Sequence, residues 1–453
     1  MKDYLQKIVE NKKIIIIGFG REGKSTYKTL RSFFPEIPIA IADINDSKAI
    51  EISNDRNITF ITGENYLDSI KTYNLVFKTP GITLKRLNNK ININKITSQT
   101  DIFLNVFGRQ VIGVTGTKGK STTSSLIYHI LKTAGKDAVL LGNIGSPPFN
   151  FINSINENTV IVFELSSHQL ESVTASPYFA VLLNFYEEHL NDYISYQEYK
   201  NAKFNITRFQ KEDGNLIYNF DDYQIGDMIR ENSLQRNYYG YSLDNVPERG
   251  MKIKDNYLIF TNNNLEEKIY NLKDKRKLLG EHNILNIMAA AIVCNLLNIK
   301  NSDISAGINS FSPLPHRLEY IGVFCGIHFY NDSIATIPEA TIRAVQTLKT
   351  VDTLIVGGFD RGINYQPLVD FIAASEIQNI ICTGDAGKRI SYLLNEKEKK
   401  YLFTESYEEI IQLAMKYTRK NTICLLSPAA ASYDKFKNFE ERGNVFKELL
   451  KNY

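Results

Sequence analysis

Residues 111–122 read VIGVTGTKGKST, and the fold of the surrounding chain can be worked out from this stretch. It begins with a short apolar run, passes through a glycine-rich segment, and ends in hydroxyl residues that open the pattern STTSSLIYHILKTAG. A short apolar run bounded by glycine is typical of a buried strand, and the pattern that follows is typical of a helix. We therefore expect a strand, a tight turn and a helix in direct succession.

The turn in this stretch carries residue types that bind phosphate. Backbone N–H groups near Gly116 and Gly119 could surround phosphate oxygens. Lys120 could reach the β- and γ-phosphates of a nucleotide, and the hydroxyl of Ser121 or Thr122 could hold Mg²⁺. The common phosphate-binding loop has a glycine five residues before its Gly-Lys-Ser, whereas this chain has valine there. The sequence thus predicts a nucleotide site with altered glycine spacing.

A second glycine-rich loop, GFGREG at residues 18–23, follows the apolar run KKIIII and precedes another helical pattern. Asp43 lies about 20 residues further on, at the end of the next apolar run, as in dinucleotide-binding folds. This pattern fits NAD or FAD, and it would suit an NAD-dependent oxidoreductase. A turn lined with N–H groups at a helix N-terminus suits the diphosphate of a nucleotide-sugar equally well. The motif alone leaves both interpretations open.

Apolar runs alternate with helical patterns along the whole chain, which is typical of α/β proteins with largely parallel sheets. We predict three domains: a Rossmann-like N-terminal domain (1–107), a central P-loop ATPase-like domain (108–312) and a C-terminal Rossmann-like domain (313–453). Within the central domain, the more polar segment 213–277 contains short apolar runs that we interpret as antiparallel strands. The last boundary lies at the proline-containing stretch FSPLPHRLEY.

The composition argues against several classes of protein. Of 453 residues, 43% are hydrophobic and 23% are charged, and a formal net charge of +3 is too small to indicate nucleic-acid binding. No apolar segment approaches the roughly 20 residues of a membrane helix, and the N-terminus lacks a signal core, so we expect a cytoplasmic protein without membrane insertion. The four cysteines are widely spaced in or beside apolar runs, which predicts buried, reduced thiols and no zinc site or disulfide framework.

The sequence also resembles the Mur ligases, the ATP-dependent amide-forming enzymes of peptidoglycan precursor synthesis. Their phosphate loop has the form GTxGKS/T, and GTKGKST at residues 116–122 fits it. The resemblance continues in order through GNIGSP (142–147), FELSSHQLE (163–171), NFYEEHLNDY (184–193), GEHNILNIMAA (280–290), LPHRLE (314–319), YNDSIAT (330–336), GGFDRG (357–362) and LLSPAAASYDKFKNFEERGNVF (425–446). ELSSHQLE, SPAAASYDKFKNFEERG and the N-terminal GxGxxG domain are most similar to the branch that adds D-glutamate.

The resemblance implies an acid–amino-acid ligase. ATP would phosphorylate the carboxylate of UDP-N-acetylmuramoyl-L-alanine, and the amino group of glutamate, with D-glutamate preferred, would then displace phosphate from the acyl phosphate. ATP and Mg²⁺ would be required, because charge develops on phosphoryl and acyl oxygens. Such an enzyme would act as a monomer in cell-wall biogenesis, and hence in cell shape, cell division and the cell cycle.

By position in the family motifs, the resemblance also implies roles for individual residues. The catalytic residues would be Lys120, His189, Lys203 and Arg317. ATP would contact Gly116, Thr117, Lys118, Gly119, Lys120, Ser121, Thr122, Asn283, Asn286, Arg317 and Asp332. The metal ligands would be Ser121, Glu164, His189 and Lys203, the last as a carbamate formed with CO₂. The UDP-sugar would contact Gly18, Gly20, Arg21, Asp43, Thr79, Pro80, Gly81, Asn143 and His189, and the incoming amino acid would contact Thr336, Arg361, Ser432 and Phe439.

One segment departs from the family pattern. The family usually reads NDSKATN, whereas this chain reads NDSIATI, so that Ile334 replaces a lysine and Ile337 replaces an asparagine. Loss of a cation beside the developing charge should slow the reaction unless Lys118 or Arg361 compensates. A relative that adds L-glutamate is therefore an alternative, as is a binding protein that kept the fold and lost the chemistry. We also expect the domains to close on the substrates, because the ligands come from separated segments.

Overall fold

The computed structural model describes residues 1–45, 54–87, 91–142, 147–187, 192–263, 265–312 and 315–453. The chain divides into two compact units, Met1–Phe311 and Ser312–Tyr453. Two sheets lie in the first unit and one in the second, and each combines parallel strands with helices, so the predicted α/β class is confirmed. The first unit spans the predicted domain 1–107 and the predicted domain 108–312 except for its last residue, and the boundary between those two domains stays a prediction.

The first sheet is parallel throughout, in the order β3-β2-β1-β4-β5. Its strands are β1 Ile14–Ile17, β2 Ile39–Ala42, β3 Ile58–Ile61, β4 Leu75–Lys78 and β5 Ile96–Thr97, and the α-helices around it are α1 Lys2–Val9, α2 Arg21–Phe33, α3 Leu84–Leu87 and α4 Gln99–Phe107. Alternate residues of the run IIII join two different apolar clusters, Ile14 and Ile16 on one face and Ile15 and Ile17 on the other. Burial on both faces explains why this strand reads as a continuous apolar run.

The second sheet has the order β14-β13-β12-β11-β10-β9-β6-β8-β7. Its strands are β6 Val111–Thr115, β7 Ala138–Gly142, β8 Val160–Glu164, β9 Phe179–Leu182, β10 Asn215–Asn219, β11 Asn237–Tyr241, β12 Gly250–Lys254, β13 Tyr257–Asn262 and β14 Leu265–Asn271. The α-helices are α5 Lys120–Thr133, α6 Ser167–Leu170, α7 Tyr196–Arg208, α8 Tyr223–Asn232, α9 Glu281–Leu296 and α10 Asn301–Ser310. Short 3₁₀ segments in the first unit are Tyr66–Thr72, Ile93–Lys95, Gly108–Gln110 and Pro148–Phe151.

The predicted antiparallel insert at 213–277 is correct for only part of its length. β12, β13 and β14 are antiparallel neighbours, and the turn between β12 and β13 contains Asp255 and Asn256 with φ of 52° and 64°. Turns with positive φ at both central positions match the twist of hairpin strands. β10 and β11, in contrast, are parallel to their neighbours, and helix α8 forms the crossover that makes them parallel to each other.

The second unit contains the third sheet, in the order β15-β16-β20-β17-β18-β19. Its strands are β15 Glu319–Phe324, β16 Ile327–Asn331, β17 Val351–Gly357, β18 Asn379–Thr383, β19 Leu402–Phe403 and β20 Ile423–Leu426. The α-helices are α11 Pro338–Leu348, α12 Gln366–Ala374, α13 Gly384–Glu396, α14 Tyr407–Tyr417 and α15 Phe439–Leu450. β15 and β16 form an antiparallel hairpin, and the other pairs are parallel.

The prediction of buried thiols is right for three cysteines and wrong for one. Cys294, Cys382 and Cys424 are buried, whereas Cys325 is exposed. Cys325 and Gly326 form the turn of the β15–β16 hairpin, with φ of 50° and 82°. A turn position lies at the surface even when its flanking residues are apolar.

No helix in the described residues is both long enough and apolar enough to span a bilayer.

Candidate active site

The glycine-rich turn at residues 116–119 lies between β6 and α5, as expected. Gly119 has φ of +88° and caps the N-terminus of α5, whose first residue is Lys120. The side chain of Asn184 holds the turn in place, since its Oδ1 accepts the Lys118 N–H at 2.8 Å and its Nδ2 donates to the Lys118 carbonyl at 3.0 Å. The result is a preformed turn at a helix N-terminus, which is the geometry that binds anions.

Helix α9 lies directly against this turn. A Cβ at Gly119 would come within 2.6 Å of Asn286 Oδ1, so a larger residue here would displace the Asn286 side chain. Asn286 Oδ1 accepts a hydrogen bond from Thr123 Oγ1 at 3.1 Å, and Asn286 Nδ2 donates to Asn283 Oδ1 at 3.0 Å. The structure therefore brings the two predicted asparagines to the loop, where they connect α9 to α5.

Two lysines converge on the carbonyl oxygen of Gly116. Lys120 Nζ donates to it at 3.0 Å and to the Thr117 carbonyl at 3.1 Å, and Lys203 Nζ donates to it at 2.9 Å. Lys203 is only 2% exposed, and its Nζ lies 4.8 Å from the centroid of the Tyr199 ring. Tyr199 in turn forms a hydrogen bond of 3.0 Å with Thr117 Oγ1. Two cations beside one loop give the site a strong attraction for anionic oxygens.

A hydroxyl and a carboxylate meet where β6 and β8 end. Ser121 Oγ donates to Glu164 Oε1 at 3.1 Å, and Glu164 is only 1% exposed at the end of β8. Thr122 follows in α5 and is buried. Hydroxyl and carboxylate oxygens are ligands that Mg²⁺ prefers, and in phosphate-binding sites it commonly takes one or two protein oxygens together with phosphate oxygens. The residues present fit a magnesium ion, although the described residues contain no cluster of three or more His, Cys, Asp or Glu side chains. His189 lies outside the described residues.

A cavity of about 410 Å³ extends from these lysines to the first sheet. The central part of the chain contributes Lys120, Ser166, Ser167, His168, Asp192, Tyr199 and Lys203 to its lining, and the segment after β4 contributes Pro80, Gly81 and Thr83. Most of these side chains are polar or charged, which suits a hydrophilic ligand. The phosphate-binding turn and the predicted UDP-sugar turn therefore border the same cavity.

The GFGREG loop packs tightly against the residues that follow β4. Gly18 has φ of +84°, and a Cβ there would come within 2.3 Å of Thr79 Oγ1. The buried carboxylate of Asp43 accepts backbone N–H groups from Phe19 at 2.6 Å and from Asn45 at 3.0 Å. One carboxylate oxygen thus supports the GFGREG loop, and the other supports the residues that follow β2.

The remaining residues predicted for the UDP-sugar have different surroundings. Gly20 is exposed, with open space where a Cβ would be, and Arg21 is exposed at the start of α2. Thr79 is buried, and its hydroxyl donates to the Ile17 carbonyl at 2.9 Å. Asn143 lies outside the described residues.

In the second unit, Asp332 lies just after β16 and is buried. Its Oδ1 accepts the Leu318 N–H at 3.1 Å and its Oδ2 accepts the Ser427 hydroxyl at 2.8 Å. Burial raises the pKa of Asp332 to about 7, and the two hydrogen bonds and the charge of Arg317 act in the opposite direction. The predicted pair Arg317 and Asp332 is thus electrostatically coupled within this unit.

Of the four residues predicted to bind the amino acid, three lie on loops and Phe439 begins α15, and these segments contact one another. Arg361 donates from one guanidinium nitrogen to the Thr336 carbonyl at 2.7 Å, and Arg361 is exposed. Ser432 is buried and follows Ala431, which forms an isolated β-bridge with Phe359. The Phe439 carbonyl accepts the Ser333 hydroxyl at 2.8 Å, which places the start of α15 beside the segment that contains Ile334.

Sequence reasoning missed Arg442, which ties these loops together. It is only 1% exposed and donates to Ser333 Oγ at 2.9 Å, to the Ser333 carbonyl at 2.7 Å, and to the carbonyls of Ala430 and Ala431 at 3.1 Å each. The sequence contained a signal for the burial of Arg442, because Arg442, Phe446 and Leu450 recur at helical spacing and the last two are core residues. Asn184 was missed as well, since its contact with Lys118 depends on strand packing.

The chain is similar to known proteins over its whole length. The profile of the Mur ligase middle domain matches residues 114–294, and that of the Mur ligase glutamate ligase domain matches residues 316–430. The chain is 32% identical to the "UDP-N-acetylmuramoylalanine--D-glutamate ligase" of Acetivibrio thermocellus, and the match covers 99% of this chain and 98% of the relative. It is 33% identical to the protein of the same name from Ruminiclostridium cellulolyticum, with the same coverage of both chains. Among solved structures, the MurF ligase of Thermotoga maritima in complex with ADP has a TM-score of 0.60 at 17% identity, covering 100% of both chains, and therefore supports the fold.

Proposed function

This chain belongs to the Mur ligase family, and on that premise we propose that it uses ATP to join D-glutamate to the carboxylate of UDP-N-acetylmuramoyl-L-alanine. The names of its full-length relatives support this substrate pair. The enzyme would act in the cytoplasmic steps of peptidoglycan synthesis.

The observation that carries the proposal is the shared cavity. Lys120 and Lys203 border it at the phosphate-binding turn, and Pro80 and Gly81 border it at the turn after β4. An enzyme that transfers phosphate to a second substrate needs both substrates in one enclosed site. The NAD-dependent alternative is less well supported, because the full-length relatives are named as ligases and the phosphate-binding turn at residues 116–119 would have no role in it.

In the first step, a carboxylate oxygen of the UDP-sugar substrate attacks the γ-phosphorus of ATP, and the bond to the β–γ bridging oxygen breaks to release ADP. Lys120 moves from the loop carbonyls to the phosphate oxygens and stabilises their charge. In this turn Asn184 accepts the Thr117 and Lys118 N–H groups, so the N–H groups of Gly119 and of the first turn of α5 would contact the phosphate oxygens. Arg317 and Asp332 would contact ATP from the C-terminal segment, as Asn283 and Asn286 would near the adenine.

Ser121 and Glu164 would hold Mg²⁺, with His189 and a carbamate on Lys203 as further ligands. Magnesium supplies neutralisation of charge on the phosphate oxygens. A carbamate nitrogen keeps one N–H, so Lys203 could still donate to the Gly116 carbonyl after modification.

In the second step, the amino group of glutamate attacks the acyl carbon, the bond to phosphate breaks, and a proton leaves the nitrogen. Arg361 is suited to a bidentate contact with the side-chain carboxylate of glutamate. Thr336, Ser432 and Phe439 would complete the amino-acid site. Because Ile334 replaces the family lysine, Lys118 or Arg361 would supply the missing cation beside the transferring phosphate.

The decisive experiment measures phosphate release from ATP with UDP-N-acetylmuramoyl-L-alanine and D-glutamate, L-glutamate or no amino acid, with mass spectrometry of the product. We expect release that depends on D-glutamate and a product with one added glutamyl residue. Release that depends on L-glutamate alone would show that L-glutamate is the acceptor and would leave the rest of the proposed reaction unchanged. The absence of amino-acid-dependent release with either isomer would exclude the ligase function.

The carbamate has its own test. We expect Lys203→Ala to lose at least about 100-fold in kcat, because a ligand beside the transferring phosphate is removed. After incubation with ¹³C-bicarbonate, the parent protein should show a carbamate carbon signal by NMR that is absent in Lys203→Ala. Lys200→Ala, one helical turn away and stacked on Tyr196, is the control and should keep both properties. Equal signals in Lys203→Ala and the parent would contradict the modification.

A further inference from the structure

Lys78, the last residue of β4, forms a buried ion pair with Glu171, just after α6. Lys78 Nζ lies 2.7 Å from Glu171 Oε1, and the two side chains are 1% and 5% exposed. The same nitrogen donates to the carbonyls of Ile82 at 3.0 Å and His168 at 3.2 Å. One ammonium group therefore uses its three N–H donors on three separate acceptors.

Glu171 makes a second contact between the end of β4 with the residues after it and the segment after β8. Its Oε1 also accepts the Leu84 N–H at 3.2 Å, so the carboxylate binds the segment after β4 through both a side chain and the backbone. The carboxyl of Glu22, in the first turn of α2, is electrostatically coupled to Lys78 as well. The ion pair thus links the first sheet to the segment that follows β8.

The residues that this ion pair holds are neighbours of those that line the cavity. On one side, Pro80, Gly81 and Thr83 line the cavity, and Ile82 and Leu84 are held by the pair. On the other side, Ser167 and His168 line the cavity, and the His168 carbonyl is held by the pair. The ion pair and its hydrogen bonds therefore fix two walls of the same cavity, one from each sheet, to each other through residues next to those that line the cavity.

A buried ion pair is a poor source of net stability, because removing two charges from water offsets much of their attraction. Its directional hydrogen bonds, however, specify one geometry, and here three distances set the spacing between two cavity walls. A ligand that spans such a cavity is sensitive to displacements of about 1 Å.

We propose that Lys78 and Glu171 are positioning residues that hold the turn at Pro80–Gly81 and the segment Ser167–His168 at the spacing required by the UDP-sugar substrate. This inference rests on the proposed ligase function and extends it to two residues that contact neither ATP nor the incoming amino acid. Their loss should weaken binding of the UDP-sugar selectively.

The experiment compares Lys78→Met, Glu171→Gln, the double variant Lys78→Met/Glu171→Leu and the control Lys71→Met, an exposed lysine in the 3₁₀ segment Tyr66–Thr72. In Lys78→Met and Glu171→Gln we expect KM for UDP-N-acetylmuramoyl-L-alanine to rise at least about tenfold, with KM for ATP changed by less than about twofold. The double variant leaves no buried unpaired charge, so it should recover the thermal stability of the parent while keeping the raised KM. Lys78→Arg, which retains charge and donors, should lie between parent and Lys78→Met.

The outcomes separate this inference from the proposed function. A folded Lys78→Met or double variant with KM for the UDP-sugar within about twofold of the parent would overturn it. Equal increases in KM for the UDP-sugar and for ATP would also overturn it, because they indicate a general structural role. If the parent itself forms no amide, the proposed function fails, and calorimetric titration of the same variants with UDP-N-acetylmuramoyl-L-alanine still tests the positioning role through the dissociation constant.

Discussion

Gly119 meets two separate constraints in the phosphate-binding turn. Its φ of +88° is a conformation that side-chain-bearing residues adopt only with strain, and a Cβ would contact Asn286 Oδ1 at 2.6 Å. Gly135, just after α5, has φ of +71° but open space where a Cβ would be. The two glycines share the backbone constraint and differ in the contact, so they form a matched pair.

We expect Gly119→Ala to bind ADP with Mg²⁺ at least about tenfold more weakly than the parent, because the turn and Asn286 must move apart. Gly135→Ala should lose about 1 kcal/mol of stability from backbone strain and keep the affinity of the parent. Isothermal titration calorimetry measures the affinities, and thermal unfolding measures the stability. Equal ADP affinities in the two variants would show that the contact with Asn286 does not shape the nucleotide site.

The carboxyl of Glu22 leads to a prediction on how the stability of the protein depends on pH. It is partly buried, its Oε1 has no hydrogen-bond partner among the described residues, and burial raises its pKa to about 7, against an opposing effect of Lys78. Between pH 4.5, near the usual pKa, and about pH 7, the folded protein keeps the proton on Glu22 whereas the unfolded chain releases it. This group therefore makes folding less favourable as pH rises through that window.

We expect Glu22→Gln to gain stability relative to the parent as pH rises from about 4.5 to about 7, by no more than about 1.4 kcal/mol per pH unit, and to keep a constant advantage above that window. Thermal unfolding between these pH values measures the difference. Glu64→Gln, which removes an exposed carboxylate, is the control. A difference between Glu22→Gln and the parent that does not vary with pH would show that Glu22 ionises normally.

At the scale of elements, α15 does more than cover the third sheet. Through Arg442 it binds the segment after β16, at Ser333, and the segment after β20, at Ala430 and Ala431. These two segments carry Asp332 and Ser432, so the helix determines how a predicted ATP residue and a predicted amino-acid residue are spaced. Burial lowers the pKa of Arg442, although the charges of Tyr407 and Asp434 oppose this effect.

Replacement of Arg442 by methionine should therefore cost on the order of 3 kcal/mol of unfolding free energy, because three buried carbonyls lose their donor. Lys447→Met on the same helix is the control, since its ion pair with Glu319 is partly exposed and should contribute less than about 1 kcal/mol. Denaturant unfolding of the full chain compares the two. Similar small losses in both variants would mean that backbone packing alone positions the loops.

Elements were predictable from the sequence where a local pattern determines them. The run IIII became β1, and the strand–turn–helix at residues 111–122 formed as expected, because apolar period and glycine placement act within a few residues. Strand direction in the 213–277 segment was partly wrong, since it depends on the crossover helix α8. The contact between Lys78 and Glu171 was not predictable, because it joins segments from two sheets.

At the scale of the whole molecule, the three sheets place candidate ligands at the same kind of position. Thr79 follows the end of β4, Gly116 follows β6, Glu164 ends β8, and Asp332 follows β16. In parallel α/β sheets, the carboxyl ends of strands meet the N-termini of helices, where backbone N–H groups and positive dipole ends attract anions. The GFGREG loop lies at the same kind of position, between β1 and the N-terminus of α2, so its sequence pattern indicates a phosphate-binding geometry without specifying the ligand.

The division between Phe311 and Ser312 leads to a prediction about the chain as a whole. The apolar clusters on both faces of the third sheet consist of residues from the second unit, and those of the first two sheets consist of residues from the first unit. Because each unit has its own core, we expect two calorimetric transitions, and a fragment 312–453 that folds alone and melts within about 5 °C of one of them. ADP with Mg²⁺ should raise the other transition, since the phosphate-binding turn lies in Met1–Phe311. A single transition together with an unfolded fragment would show that the second unit requires the first in order to fold.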